Sequence, residues 1–157
     1  MEAILPAVLF RATAWRTLAA ALLLATAAHA RAQAPMPAIQ VKVAGHALRV
    51  EVAATTEQRA VGLMFRAKLG RNDGMLFVFD EPGYHAMWMK NTLLALSVAF
   101  IDAEGRILNI ADMAPGTLDA HAAAGPARYA IETNQGWFAA RKVKAGDRVS
   151  GLPRPPD

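Results

Sequence analysis

From Ile39 to Val52 the chain reads IQVKVAGHALRVEV, with apolar and polar residues alternating on both sides of Ala44-Gly45-His46. A period of two is the signature of a strand with one buried face, so this stretch predicts a hairpin of two half-buried strands. The period then changes. Thr55 and Gln58 stand at the spacing of a capping box ahead of RAVGLMFR, in which Ala60, Val61, Met64 and Phe65 fall on one helical stripe. A short helix over 56–66 is expected. Gly62 inside it costs up to about 1 kcal/mol against Ala, and close packing of the helix on a strand is the expected reason for its presence.

Asn72-Asp73-Gly74 is a turn signal that releases the strand MLFVF over 75–79. Asp80-Glu81-Pro82-Gly83 reads as the end of that strand, and a further strand is expected over 85–89. The polar triplet Lys90-Asn91-Thr92 interrupts the apolar run, after which LLALSVAFI reads as a fully buried strand. Asp102-Ala103-Glu104-Gly105 is a hairpin turn into RILNIADM. From Ala114 to Arg128 there is no consistent period, and Gly and Pro occur, so a long surface loop is expected. A short strand follows over 129–133, a helical turn over 135–140, and a last strand ending near Gly151. About seven or eight short strands without a βαβ rhythm predict a mainly β fold, an antiparallel β-sandwich or flattened barrel with the early helix closing one end.

The N-terminal segment is different in kind. Arg11 and Arg16 precede an apolar run from Leu18 to Ala28, long enough for a signal-peptide core and short of the ~20 residues a membrane span needs. Small-residue cleavage patterns follow at Ala28-His29-Ala30 and Ala32-Gln33-Ala34, the second just before Pro35-Met36-Pro37. The expected division is a signal peptide over 1–34, a linker over 35–38, a single mainly-β domain over 39–151 and a disordered tail over 152–157. The destination is then the periplasm or the exterior, with an uncleaved membrane anchor as the alternative.

Charge and cysteine content narrow the function classes. The formal net charge of +4 falls to +2 once residues 1–34 are removed, because that segment carries Arg11, Arg16 and Arg31 against Glu2. Without a basic stripe, a nucleic-acid partner is not expected. The Arg141-Lys142-Val143-Lys144 cluster reads as a solvated face, suited at most to a weak contact with a membrane surface. Cysteine is absent, which excludes disulfides, thiol chemistry and cysteine-based metal sites and leaves the core alone to hold the domain.

GLMFR (62–66), DGMLFVF (73–79), WMKNT (88–92), AFID (99–102), YAIE (129–132) and AGD (145–147) follow one another in an order and spacing that resemble the domain of unknown function 192 family of exported or membrane-associated proteins. The resemblance covers about Val41 to Val149. It implies a single mainly β domain of jelly-roll-like topology and carries no agreed activity. One position departs from the pattern. Where the family usually reads something like Pro-Leu-Asp after the WMKNT block, this chain has Ala95-Leu96-Ser97, so any chemical role of that aspartate would be missing here.

Several chemistries have no motif in the chain: there is no Gly-rich phosphate loop, no HExxH, no GxSxG elbow and no acidic motif of the Ca²⁺ type. Asp112, Asp119 and His121 offer oxygen and nitrogen donors on a loop, but so few potential ligands do not close a metal site. The stronger constellation is Arg66, Trp88, Lys90, Asn91, Thr92 and Glu132. In a structural reading, Lys90 or Arg66 pairs with Glu132, Asn91 and Thr92 satisfy the strand crossover, and Trp88 fills core. In a functional reading the same groups line a shallow pocket. Trp88 then supplies a stacking face, Arg66 and Lys90 hold a carboxylate, phosphate or acidic sugar, and Asn91 with Glu132 orients its hydroxyls.

The expected function is accordingly an exported, monomeric binding or accessory module for an anionic or sugar-like group or an envelope protein, with no cofactor. Catalysis is not expected, since a lone carboxylate without a metal or nucleophile is a thin catalytic set. Three alternatives stay open. One is a hydrolase or lyase-like enzyme using Lys90 and Glu132 as acid and base. The second is a periplasmic Cu(I)-binding protein using His85, Met87 and Met89, which would share one face of a strand near Met64 and Met75. The last is a purely structural or interaction domain.

Overall fold

The structure, a computed structural model, describes residues 35–154. The expected signal peptide over 1–34 and residues 155–157 of the tail lie outside the described residues. Strands β1 (Ala38–Val43) and β2 (His46–Ala53) form the expected antiparallel hairpin. Its two-residue connection, Ala44-Gly45, has φ of 48° and 86°, the left-handed pair whose twist suits a tight hairpin. Helix α1 (Thr56–Val61) begins with the expected capping box: the Thr55 side chain accepts from the Gln58 N–H and the Gln58 side chain accepts from the Thr55 N–H.

The helix expected to reach residue 66 stops at Val61. Gly62 takes φ 49° and ψ −130°, which no helix accommodates and which an L side chain resists. The close packing expected at Gly62 is present: a Cβ there would lie 3.2 Å from the Phe77 ring.

Strand β3 (Asp73–Gly83) is longer than its expected five residues. Asp80 to Pro82 do not end it. They sit in a bulge between Val78 and Gly83 where the pairing with the next strand shifts, and a bulge tolerates a proline that lacks its N–H. The strand expected over 85–89 contracts to β4 (Ala86–Met87), paired with β7 (His121–Ala122) inside the stretch expected to be loop. Strands β5 (Leu96–Ile101), β6 (Ile107–Met113), β8 (Ala127–Asn134) and β9 (Val149–Ser150) complete the domain, with a 3-10 turn over Ala139–Arg141.

The main sheet has the order β6-β5-β8-β3-β2-β1-β9. All its pairs are antiparallel except β2 with β3. That parallel pair requires a crossover, and α1 with the segment up to residue 72 supplies it. The sheet curls into a half-barrel. At one end the two edges meet, through the Arg106 to Arg148 bridge and the bonds from Ile107 N to Asp147 O and from Val149 N to Gly105 O. The fold is therefore mainly β, as expected.

Alternation along the central strands separates two cores. Inside the curl lie Val41, Leu48, Val50, Leu76, Val78, Ile101, Ile131, Trp137 and Phe138, drawn from both edges of the sheet. Leu152 packs against this cluster and the Tyr129 hydroxyl donates to Pro153 O. The other face of β3, β5 and β8 carries Met75, Phe77, Phe79, Leu96, Val98, Phe100 and Ala130, covered by Leu63, Met89 and Ala123 from the connecting segments. Among the described residues no helix is long and apolar enough to cross a membrane.

Candidate functional site

The second core is incompletely roofed. Between α1, the far end of β3, β4 and the turn around Thr92 a cavity of about 710 Å³ opens to solvent, within the range of small-molecule sites. Its walls are apolar and soft: Leu63, Met64, Phe77, Phe79, Met87 and the half-exposed Trp88. Around its mouth stand Arg59, Asp80, Glu81 and His85. Backbone bonds from Phe65 N to Asn91 O (2.9 Å) and from Met89 N to Thr117 O (3.1 Å) tie together the segments that carry the exposed Phe65, Trp88, Leu93 and Leu118. The result is an apolar rim on that side of the domain.

Glu132 forms part of the cavity lining. It lies in the middle of β8, with Met75 of β3 and Val98 of β5 as its cross-strand neighbours, and it is 4 % exposed. No ion pair from the described residues reaches its carboxyl group. Burial alone therefore acts on it and pushes its pKa up to about 8. At neutral pH it is mostly a neutral acid, able both to donate and to accept a hydrogen bond.

The cations that could have neutralised it are engaged elsewhere. Arg66 makes a two-pronged pair with Glu51 of β2, Nη1 to Oε1 at 2.9 Å and Nη2 to Oε2 at 2.6 Å. Arg59 is spread over Asp80 (2.7 Å), Thr56 Oγ1 and the carbonyls of Ala54 and Val78. Lys90 is exposed and lies outside the cavity lining, its Nζ 5.3 Å from the centre of the Trp88 ring. Of the six residues singled out in the sequence, the cavity brings together Trp88, Thr92 and Glu132. Asn91 is exposed with φ 55°, and its part is the carbonyl that receives Phe65 N. Buried Thr92 donates its hydroxyl to Lys90 O at 3.3 Å.

His85 and Met87 line the cavity, whereas Met89 is sealed in the core with no exposure. The three do not follow one strand face, because β4 spans only two residues. The His85 ring stacks on Phe79 at 3.7 Å and its Nε2 faces Glu81 O at 3.0 Å. Among the described residues no three of His, Asp and Glu gather closely enough to hold a metal ion.

The family model for domain of unknown function 192, described as an uncharacterized ACR, matches residues 39–151. The chain belongs to this family. It is similar to a crystal structure of a protein of unknown function from Novosphingobium aromaticivorans DSM 12444, with 35% identity and a TM-score of 0.71 over 76% of this chain and 94% of that one. It is equally similar to a transcription-regulator candidate from Sinorhizobium meliloti 1021, with 34% identity and a TM-score of 0.72 over 75% of this chain and 96% of that one. No curated protein matches.

Sequence reasoning missed Arg59, Met64, Phe79 and Asp80 as cavity residues. Arg59 was hidden inside a helix read for its apolar stripe, and Asp80 inside residues read as a strand break. The available signal was the capping box: it fixes the start of α1, and Arg59 then falls in the last turn of the helix.

Proposed function

We propose that this member of the domain of unknown function 192 family is an exported, non-catalytic module that binds a small hydroxylated, sugar-like molecule in the cavity above Glu132. The observation that carries the reading is a buried carboxyl group without an ion-pair partner among the described residues, facing an open cavity of about 710 Å³. A buried polar group in a folded domain ordinarily has its partner, so an open cavity over an unpaired one supports a ligand as that partner. Trp88, Met87 and Phe79 give the apolar face of a ring a surface to lie on. Anion recognition has less support, because Arg66 is committed to Glu51 and Arg59 to Asp80. A hydrolase pairing Lys90 with Glu132 also has less, because Lys90 is outside the lining.

Export rests on the N-terminal pattern of basic residues, apolar run and small-residue cleavage sites. The relative's transcription-regulator description does not transfer readily: the one α-helix among the described residues has six residues, too short for a recognition helix. The test is titration of the full chain with a panel of neutral monosaccharides and disaccharides, followed by amide chemical shifts. Saturable shifts centred on Met87, Trp88, Thr92 and Glu132 are expected. Shifts scattered over the surface, or none at millimolar ligand, would overturn the reading.

A further inference from the structure

The chemistry of the cavity also bears on the charge of what it holds. Its lining contains three carboxyl groups, Asp80, Glu81 and Glu132, against the single guanidinium of Arg59. Arg59 is already spent on Asp80 and two backbone carbonyls. What remains is one acid at the mouth and one at the floor. The walls between them are aromatic rings and thioethers, whose faces are electron-rich and polarisable and accept a positive charge. The Trp88 ring already has an ammonium near it, that of Lys90.

We propose that the ligand is an organic cation, a protonated amine on a ring such as that of an amino sugar, with its nitrogen seated on Glu132 and the apolar face of the ring against Trp88 and Met87. This deepens the binding reading above and rests on it. A neutral hydroxyl would give Glu132 hydrogen bonds and no countercharge. An ammonium gives it a hydrogen bond and the missing countercharge together, in surroundings where water screens little. Binding therefore ionises Glu132 and expels its proton.

The other titratable groups around Glu132 come from the elements that surround the cavity. From β3 and β5 its neighbours are Met75 and Val98. Helix α1 brings Arg59, the end of β3 brings Asp80 and Glu81, and the segment before β4 brings His85. The turn at Thr92 brings a hydroxyl, with Lys90 outside the lining. Arg128, at the start of β8, donates to Asp80 O.

The test uses two matched pairs of probes, D-glucosamine with D-glucose and benzylamine with benzyl alcohol, measured on the full chain by calorimetry in buffers of different ionisation enthalpy. The amine of a pair should bind at least about tenfold more tightly than its neutral mate. With Glu132 titrating at about 8, about nine-tenths of a proton should leave per benzylamine bound at pH 7, where that amine is already fully protonated in solution, and its affinity should rise close to tenfold from pH 6 to pH 7. Glu132→Gln should abolish both the preference and the proton release. Should the Glu132 variant fail to fold, the proton count on the wild type decides alone. Equal or tighter binding of the neutral mates, lost in Trp88→Ala, would overturn the cation and leave the pocket standing. No saturable binding of either pair at millimolar concentration would overturn both.

Discussion

Arg66 grips Glu51 with both prongs of its guanidinium, at 2.9 and 2.6 Å, although the two residues are 15 apart in the chain. The pair fastens the turns after α1 to β2. It also leaves Arg66 committed to a carboxylate other than Glu132. Glu51 is held below the ordinary carboxylate range, chiefly by its hydrogen bonds to Arg66, with burial working in the opposite direction.

Removing the arginine should consequently cost stability and not binding. Both side chains are partly solvated, at 36% and 24% exposure, so Arg66→Ala is expected to lose about 1 kcal/mol. The sign of the pH dependence follows from the lowered pKa of Glu51. The contribution is present above the unfolded carboxylate pKa and is lost as pH falls through the folded one. Urea denaturation of the wild type and Arg66→Ala at neutral and acidic pH checks it: the two curves should converge in acid. Ligand affinity measured in the same variant should be unchanged.

Glu132 behaves in the opposite sense. Its pKa is raised from 4.5 to about 8, so in the folded state it keeps a proton that the unfolded chain releases. Stability should fall as pH rises from about 4.5 to about 8 and level off above that, by an amount on the order of 5 kcal/mol. Glu132→Gln removes the titration while keeping the shape. It should flatten the profile over this window and make the variant more stable than the wild type at pH 9. Thermal denaturation followed by circular dichroism across that range is the measurement, and a wild-type profile rising between pH 5 and 8 in parallel with the variant would contradict it.

What could be read from the chain alone depended on how local the cause was. The β1–β2 hairpin and the start of α1 were legible, because alternation around Ala44-Gly45 and the Thr55 to Gln58 spacing act within a few residues. The end of α1 was not, since Gly62 leaves the helix in order to seat against Phe77, on a strand the helix pattern does not contain. The continuation of β3 through Pro82 was hidden for the same reason: only the partner strand β8 shows that those residues occupy a bulge. In the candidate site, residue types were legible and pairings were not. Trp88, Thr92 and Glu132 came together in the cavity, while Arg66 found Glu51, a residue whose place in an alternating strand gives no hint of a charged partner.

Gly62 gives a prediction about the joint between helix and cavity. Its φ of 49° with ψ of −130° suits glycine, and an added Cβ would meet the Phe77 ring at 3.2 and 3.4 Å. Gly62→Ala is expected to lose about 2 to 3 kcal/mol from backbone strain and crowding together. Equilibrium urea unfolding should show a lower midpoint with an unchanged slope. A loss below about 0.5 kcal/mol would mean that the backbone at this joint relaxes, because surface substitutions without such strain fall in that range.

The last prediction concerns Ser97, on a rung of the ladder between β5 and β6. Ser97, 1 % exposed, donates its hydroxyl to Asp112 Oδ1 at 2.5 Å and accepts the Gly136 N–H at 2.9 Å. The two residues are cross-strand partners on β5 and β6, so a carboxylate at position 97 would face the one at 112 in hydrogen-bond contact, and two such groups cannot both stay charged. Ser97→Asp alone is expected to lose about 1 to 2 kcal/mol at pH 7. Exchanging the pair in Ser97→Asp/Asp112→Ser restores one donor and one carboxylate across the same rung, and should recover more than half of that loss. A double-mutant cycle on urea denaturation reads the coupling directly. If the exchange recovers nothing, the hydrogen bond between these strands is not what ties serine to this position, and the Gly136 N–H is the contact to examine instead.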